Sequence, residues 1–133
     1  MRCEEVEGLI GSHSKWFGSG MRLVQQGDAV LIVTPVLNRD NDCMSVLLGE
    51  SPDGGYALTD LGETIGSLEM SGFDLSSGKM AEEVERVLRG LGVSKTDDGE
   101  IFVRASREDV PMRLDVLLRA MAAVDGLPNT QDS

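Results

Sequence analysis

The sequence predicts an α+β fold, a mostly antiparallel sheet of four to five strands with helices packed on one face. Three observations lead there. Short apolar runs separated by turn residues mark strands at residues 29–36, 43–49 and 56–59. Apolar residues spaced three and four apart mark helices at residues 3–17, after Asp60, at 79–91 and from 110 onward. The links between strands are short, which favours antiparallel neighbours. The predicted order is α-β-β-β-α-α-β-β-α, in one domain over residues 1–127, with 128–133 as a frayed tail.

Each element has a local reason. In the first helix Val6, Leu9, Ile10, His13, Trp16 and Phe17 share a face, and Gly18-Ser19-Gly20 ends it. Residues 21–25 are a candidate short strand before the turn Gln26-Gly27-Asp28. Residues 29–36 (AVLIVTPV) form a β-branched run, and Pro35 places its far part at an edge or a strand end. The polar loop NRDND leads into CMSVLLG, and the turn SPDG leads into the strand of Tyr56 and Leu58.

Asp60 is predicted to open the second helix. Asp60 and Glu63 have capping-box spacing, each side chain reaching the other's backbone N–H. Leu61, Ile65 and Leu68 form the stripe, and Gly72 supplies the end cap. Met80, Val84, Val87, Leu88 and Leu91 line the third helix. Residues 93–105 read as a hairpin turning at Asp98-Gly99. The last helix follows Ser106, becomes regular near Val110 because of Pro111, and buries Val110, Leu114, Leu117, Leu118, Met121 and Val124.

Composition bounds the function. The 133-residue chain carries 23 carboxylates against 12 Lys and Arg, for a net charge of −11. Duplex binding draws affinity from cations that displace counterions, so direct nucleic-acid binding is not expected. Aromatic content of 4% removes the stacking platform for single strands. No apolar run approaches the roughly 20 residues of a membrane-spanning helix. No signal peptide is read at the N-terminus, and a soluble, cytoplasmic protein without membrane contact is expected. Cys3 and Cys43 are expected as free thiols, Cys43 buried in its strand.

The segment YALTDLGETIGSLEMSGFDL, then a charged helix, the DDGEIFV hairpin and an amphipathic C-terminal helix, resembles an uncharacterised bacterial and phage family, domain of unknown function 1828. The resemblance covers about residues 29–125. It implies a bacterial, phage or prophage origin and a cytoplasmic life in a bacterial host cell. It brings no activity with it.

Candidate chemistry is sparse. Asp60 and Glu63 suit acid–base work, but capping accounts for both. Asn38, Asp40 and Asp42 suggest a calcium loop, but Cys43 and Gly49 stand where the turn glycine and the bidentate Glu belong. His13 lies on an apolar helix face, and its spacing to Cys3 and Cys43 fits no zinc pattern. No nucleotide-binding, serine-hydrolase or zinc-protease motif is present. No cofactor, metal or catalytic residue is assigned.

The expected function is therefore non-enzymatic: an acidic binding protein of phage or mobile-element origin that engages a bacterial protein with a basic surface. Its most concrete form is an inhibitor of a defence complex, of the anti-CRISPR or anti-restriction type, occluding a basic nucleic-acid channel. The contact candidates are Glu82, Glu83 and Glu85 on the third helix, Asp97, Asp98 and Glu100 at the hairpin tip, and Trp16. One alternative is an antitoxin-like interaction module using apolar surface near Trp16 and Phe17, with a homodimer among its forms. The other is a hydrolase or nuclease built on Asp60, Glu63 and the 38–42 loop.

Overall fold

Alternation along β2 (Ala29–Leu37) sets the architecture. Val30, Ile32 and Thr34 are fully buried, whereas Ala29, Leu31 and Val33 keep partial exposure. In β3 (Cys43–Glu50) the inward residues are Met44, Val46 and Leu48, and in β4 (Tyr56–Thr59) they are Tyr56 and Leu58. A side-chain period of two gives each strand one core face. With β1 (Arg22–Gln26), β5 (Ser94–Lys95) and β6 (Ile101–Ala105), these strands form one antiparallel sheet ordered β1-β2-β3-β4-β6-β5. The computed structural model describes residues 1–10 and 20–128.

The helices are α1 (Cys3–Ile10), α2 (Glu63–Met70), α3 (Gly78–Leu91) and α4 (Val110–Asp125). α4 is the hub. It lies on β4 and β6 and touches α1, α2 and α3, so the helical layer covers one face of the sheet. All six predicted core residues of α4 are buried. Each such leucine contributes roughly 1.5–3 kcal/mol by leaving water. A 3-10 turn, Arg107–Asp109, precedes α4, and Pro111 sits in the first turn, where its missing N–H has no intrahelical partner to lose.

The α+β class and the antiparallel sheet hold, with six strands instead of four to five. Four strands, not three, precede α2; the added one is β1, at the candidate short strand of residues 21–25, and the predicted hairpin supplies β5 and β6. α1 is described as far as Ile10, and the predicted continuation with His13, Trp16 and Phe17 lies outside the described residues. Residues 129–133 of the predicted tail lie outside them as well. Pro35 falls inside β2, in a stretch where the register with β3 slips between Val33 and Leu37 and the pairing with β1 has ended. Thr34 closes that bulge: its Oγ1 donates to the Met44 carbonyl at 2.8 Å and accepts from Val36 N–H at 3.2 Å.

Cys43 is exposed, contrary to expectation. With Met44, Val46 and Leu48 facing the core, the pleat turns Cys43 away from it. Leu61 also departs from its predicted place in the α2 stripe. It precedes the helix, is 48% exposed, and has φ of 62°. The buried face of α2 is instead Thr64, Ile65 and Leu68. At the far end the predicted closure holds, with Gly72 N–H donating to the Glu69 carbonyl and Phe73 N–H to that of Leu68.

Candidate functional site

Asp60 ties the strand-to-helix corner together, but not as a capping box. Leu61 and Gly62 both have positive φ, and Glu63 N–H donates to the Asp60 carbonyl at 3.2 Å, which makes a tight turn before α2. The Asp60 side chain is 1% exposed. Its Oδ1 accepts from Gly62 N–H at 2.8 Å and from Ile101 N–H at 2.9 Å, and its Oδ2 accepts from Thr64 N–H at 3.1 Å. Its own N–H donates to the Ile101 carbonyl, so the Glu63 side chain has no role there. Beside it, Thr59 Oγ1 donates to Glu100 Oε1 at 2.6 Å and accepts from Leu61 N–H at 3.0 Å.

The β5–β6 hairpin turns at Asp97-Asp98, one residue before the predicted position. Gly99 N–H donates to the Thr96 carbonyl, and Thr96 N–H donates to that of Glu100. Gly99 follows with φ of 89°, the three-residue loop in which glycine relieves the left-handed position. Gly99 also rests against Ile65 of α2. A Cβ at this position would meet the Ile65 Cγ2 at 3.3 Å, a tight contact added to a backbone conformation that favours glycine.

That contact brings the hairpin tip to the mouth of a cleft of about 510 Å³. Glu69 of α2, Glu82 and Glu85 of α3, and Asp97 and Asp98 line it, with Lys95 as its one cation among the described residues and Ile65 and Leu75 among its apolar lining. Lys95 Nζ lies 3.6 Å from Glu85 Oε1 and donates to the Thr96 carbonyl at 3.3 Å. Five carboxylates around one ammonium give a negative concave surface suited to a guanidinium or ammonium group of a partner.

Four of the seven predicted contact residues therefore converge: Glu82, Glu85, Asp97 and Asp98. Glu83 pairs with Arg86 on α3 and is not among the cleft residues. Glu100 turns to Thr59 instead. Trp16 lies outside the described residues. Glu69 and Lys95 were missed. Glu69 stands four residues after Ile65 and next to Leu68, a helical position that borders the apolar stripe, so the sequence carried a signal for it.

A smaller pocket of about 140 Å³ joins the 38–42 loop to Glu63, Ser67, Cys43 and Asp125. Asn38 Oδ1 accepts from the N–H groups of Asp40 and Asp42 and so shapes the loop. Asp125 Oδ2 accepts from Arg39 N–H at 2.9 Å. Burial raises the Asp125 carboxyl above its usual range, and the Arg39 N–H and charge oppose that shift. The Arg39 guanidinium lies 5.2 Å from the centre of the Phe73 ring. Among the described residues no group of three or more His, Cys, Asp and Glu side chains is placed to hold a metal ion.

A family model described as domain of unknown function DUF1828 matches residues 34–124. The chain belongs to this family. The DUF1828 match takes in the Asp60 corner, the whole acidic cleft and most of α4, and leaves α1 and β1 outside it. No curated protein and no solved structure matches the chain. Among the described residues no helix is long and apolar enough to cross a membrane.

Proposed function

We propose that this DUF1828 protein is a non-enzymatic binding protein whose acidic cleft receives a basic surface of a partner protein in the bacterial cytoplasm. The observation that supports the reading is the meeting of Glu69, Glu82, Glu85, Asp97 and Asp98 around one concavity with a single lysine. Charges focused in a cleft steer a partner of opposite sign and select against like-charged ones. In its most concrete form the partner is a nucleic-acid-binding defence complex and the protein, of phage or mobile-element origin, occludes its basic channel.

The test compares two charge reversals in a binding assay with such a complex. Changing Glu82, Glu85, Asp97 and Asp98 to Lys is expected to abolish binding. Changing Glu83 and Glu100 to Lys, outside the cleft, is expected to leave most of it. Binding by the wild type should also weaken as salt rises. Equal effects of the two reversals would overturn the assignment of the cleft.

A second reading, hydrolysis in the 140 Å³ pocket, draws on Glu63 and the 38–42 loop sharing that pocket with Asp125, whose carboxyl burial raises. Asp60 is not part of it, because both its carboxylate oxygens already accept backbone N–H groups. Full retention of any hydrolytic activity in Glu63→Gln would remove this reading.

A further inference from the structure

The helical layer covers one face of the sheet. On the other, the outward residues include Val24, Leu31, Val33, Leu47, Ala57 and Phe102. Val24 is 39% exposed, and the other five are half-buried. None of the four helices lies on this face, since each belongs to the layer built around α4. Six strands about 4.8 Å apart, each about five residues long, give a face of roughly 29 Å by 17 Å, close to 500 Å² in plan. Side-chain relief raises the accessible area toward the roughly 600 Å² per partner at which specific interfaces begin. Among the described residues no helix lies on this face, where the apolar residues are interspersed with Arg22, Ser45, Thr59 and Arg104, the mix of a protein–protein interface.

Charge on this face names the occupant. Arg22 pairs across the sheet with Val33, and Val33 with Ser45. Leu47 pairs with Thr59 and Thr59 with Phe102, so Glu100, two residues before Phe102, falls in the same cross-strand row as Ser45 and Arg22. Arg22 on β1 and Glu100 just before β6 thus flank one row through Val33 and Ser45; the row of Val24, Leu31, Leu47, Thr59 and Phe102 lies below it, and exposed Arg104 stands beside Ala57 in the next. No described residue forms an ion pair with Arg22. Glu100 keeps one carboxylate oxygen beyond the one held by Thr59. A two-fold axis along the strands exchanges the two ends of the row. It lays the Arg22 end of one copy over the Glu100 end of the other, twice. The pattern is self-complementary.

We propose that this face is a homodimer interface, two copies stacking sheet on sheet as in an aligned sandwich. The acidic cleft, on the hairpin and helical side, stays open in such a dimer, so each assembly presents two clefts.

Sedimentation of the full chain tests this. The wild type is expected to dimerise. Val24→Glu, which sets a charge against Phe102 of the other copy, and Arg22→Glu, which sets like charges against each other, are each expected to weaken the dimer at least about tenfold while leaving thermal unfolding of the monomer unchanged. Glu100→Arg alone is expected to weaken it similarly. An equimolar mixture of Arg22→Glu and Glu100→Arg chains is expected to recover dimer, since both opposed pairs are again complementary. A wild type that stays monomeric at about 100 μM, well above the micromolar affinities of typical specific pairs, would overturn the proposal. So would a dimer indifferent to Val24→Glu and Arg22→Glu, or a mixture that fails to associate.

Discussion

The Asp60 corner and the acidic cleft use the same side-chain chemistry in opposite ways. At the corner a carboxylate is withdrawn from solvent and accepts three backbone N–H groups drawn from α2, its turn and β6. In the cleft, Glu82, Asp97 and Asp98 are exposed, and Glu85 has one long ion pair. The first arrangement has used its charge within the fold. The second leaves it directed outward. A carboxylate's partners, more than its presence, tell folding apart from function.

Substitutions at four places can break or sharpen that contrast. Asp60→Ala should have the largest effect, a loss of about 4 kcal/mol in urea unfolding, since three donors are left unpaired at roughly 1–3 kcal/mol each. Asp60→Asn should lose about half as much, because its amide N–H₂ must face one of those donors. A loss below about 1 kcal/mol for Asp60→Ala would show that water replaces the carboxylate and that the corner is less closed than its burial indicates.

Leu61→Asn should gain about 0.5–1 kcal/mol by relieving a left-handed leucine, a conformation that costs roughly 1–2 kcal/mol. No gain, measured the same way, would mean that exposed Leu61 makes a compensating contact.

Asp125 gives a pH signature. Its folded-state carboxyl is raised, chiefly by burial, so its contribution favours the fold below the unfolded value of 3.8 and is lost as pH rises through the raised value. Arg39 lowers and Asp40 raises the Asp125 carboxyl from the facing loop. Asp125→Asn keeps an acceptor for Arg39 N–H, so it should be slightly more stable than wild type at about pH 7 and lose that advantage near pH 3. Chemical unfolding at both pH values checks the sign.

Smallest of all should be the stability change on reversing Asp97 and Asp98 to Lys, within about 0.5 kcal/mol either way. A larger loss would mean that the hairpin tip, like the corner, is held by its carboxylates.

The elements themselves were legible because periodicity reports burial directly. The α4 stripe from Val110 to Val124 follows from spacing alone. Errors arose where a register or a turn decided the outcome. Cys43 was read as buried because its run is apolar on both faces, and only the pairing with β2 and β4 fixes which face is inside. Leu61 was placed in α2 because Asp60 was read as the helix start, yet the sequence Leu61-Gly62 takes a left-handed turn first. The role of Asp60 toward Ile101 joins residues 41 apart, which no local pattern reveals. The clustering of Glu69, Glu82, Asp97 and Asp98 depends in the same way on α2, α3 and the hairpin meeting in space.

Because one carboxylate holds amides from Gly62, Thr64 and Ile101, the beginning of α2 and the beginning of β6 form a single opening unit. Peeling β6 from the sheet strands the same anion that orders the helix entrance. Those three backbone protons should therefore exchange with deuterated solvent at one shared rate, slower than that of the neighbouring Leu61.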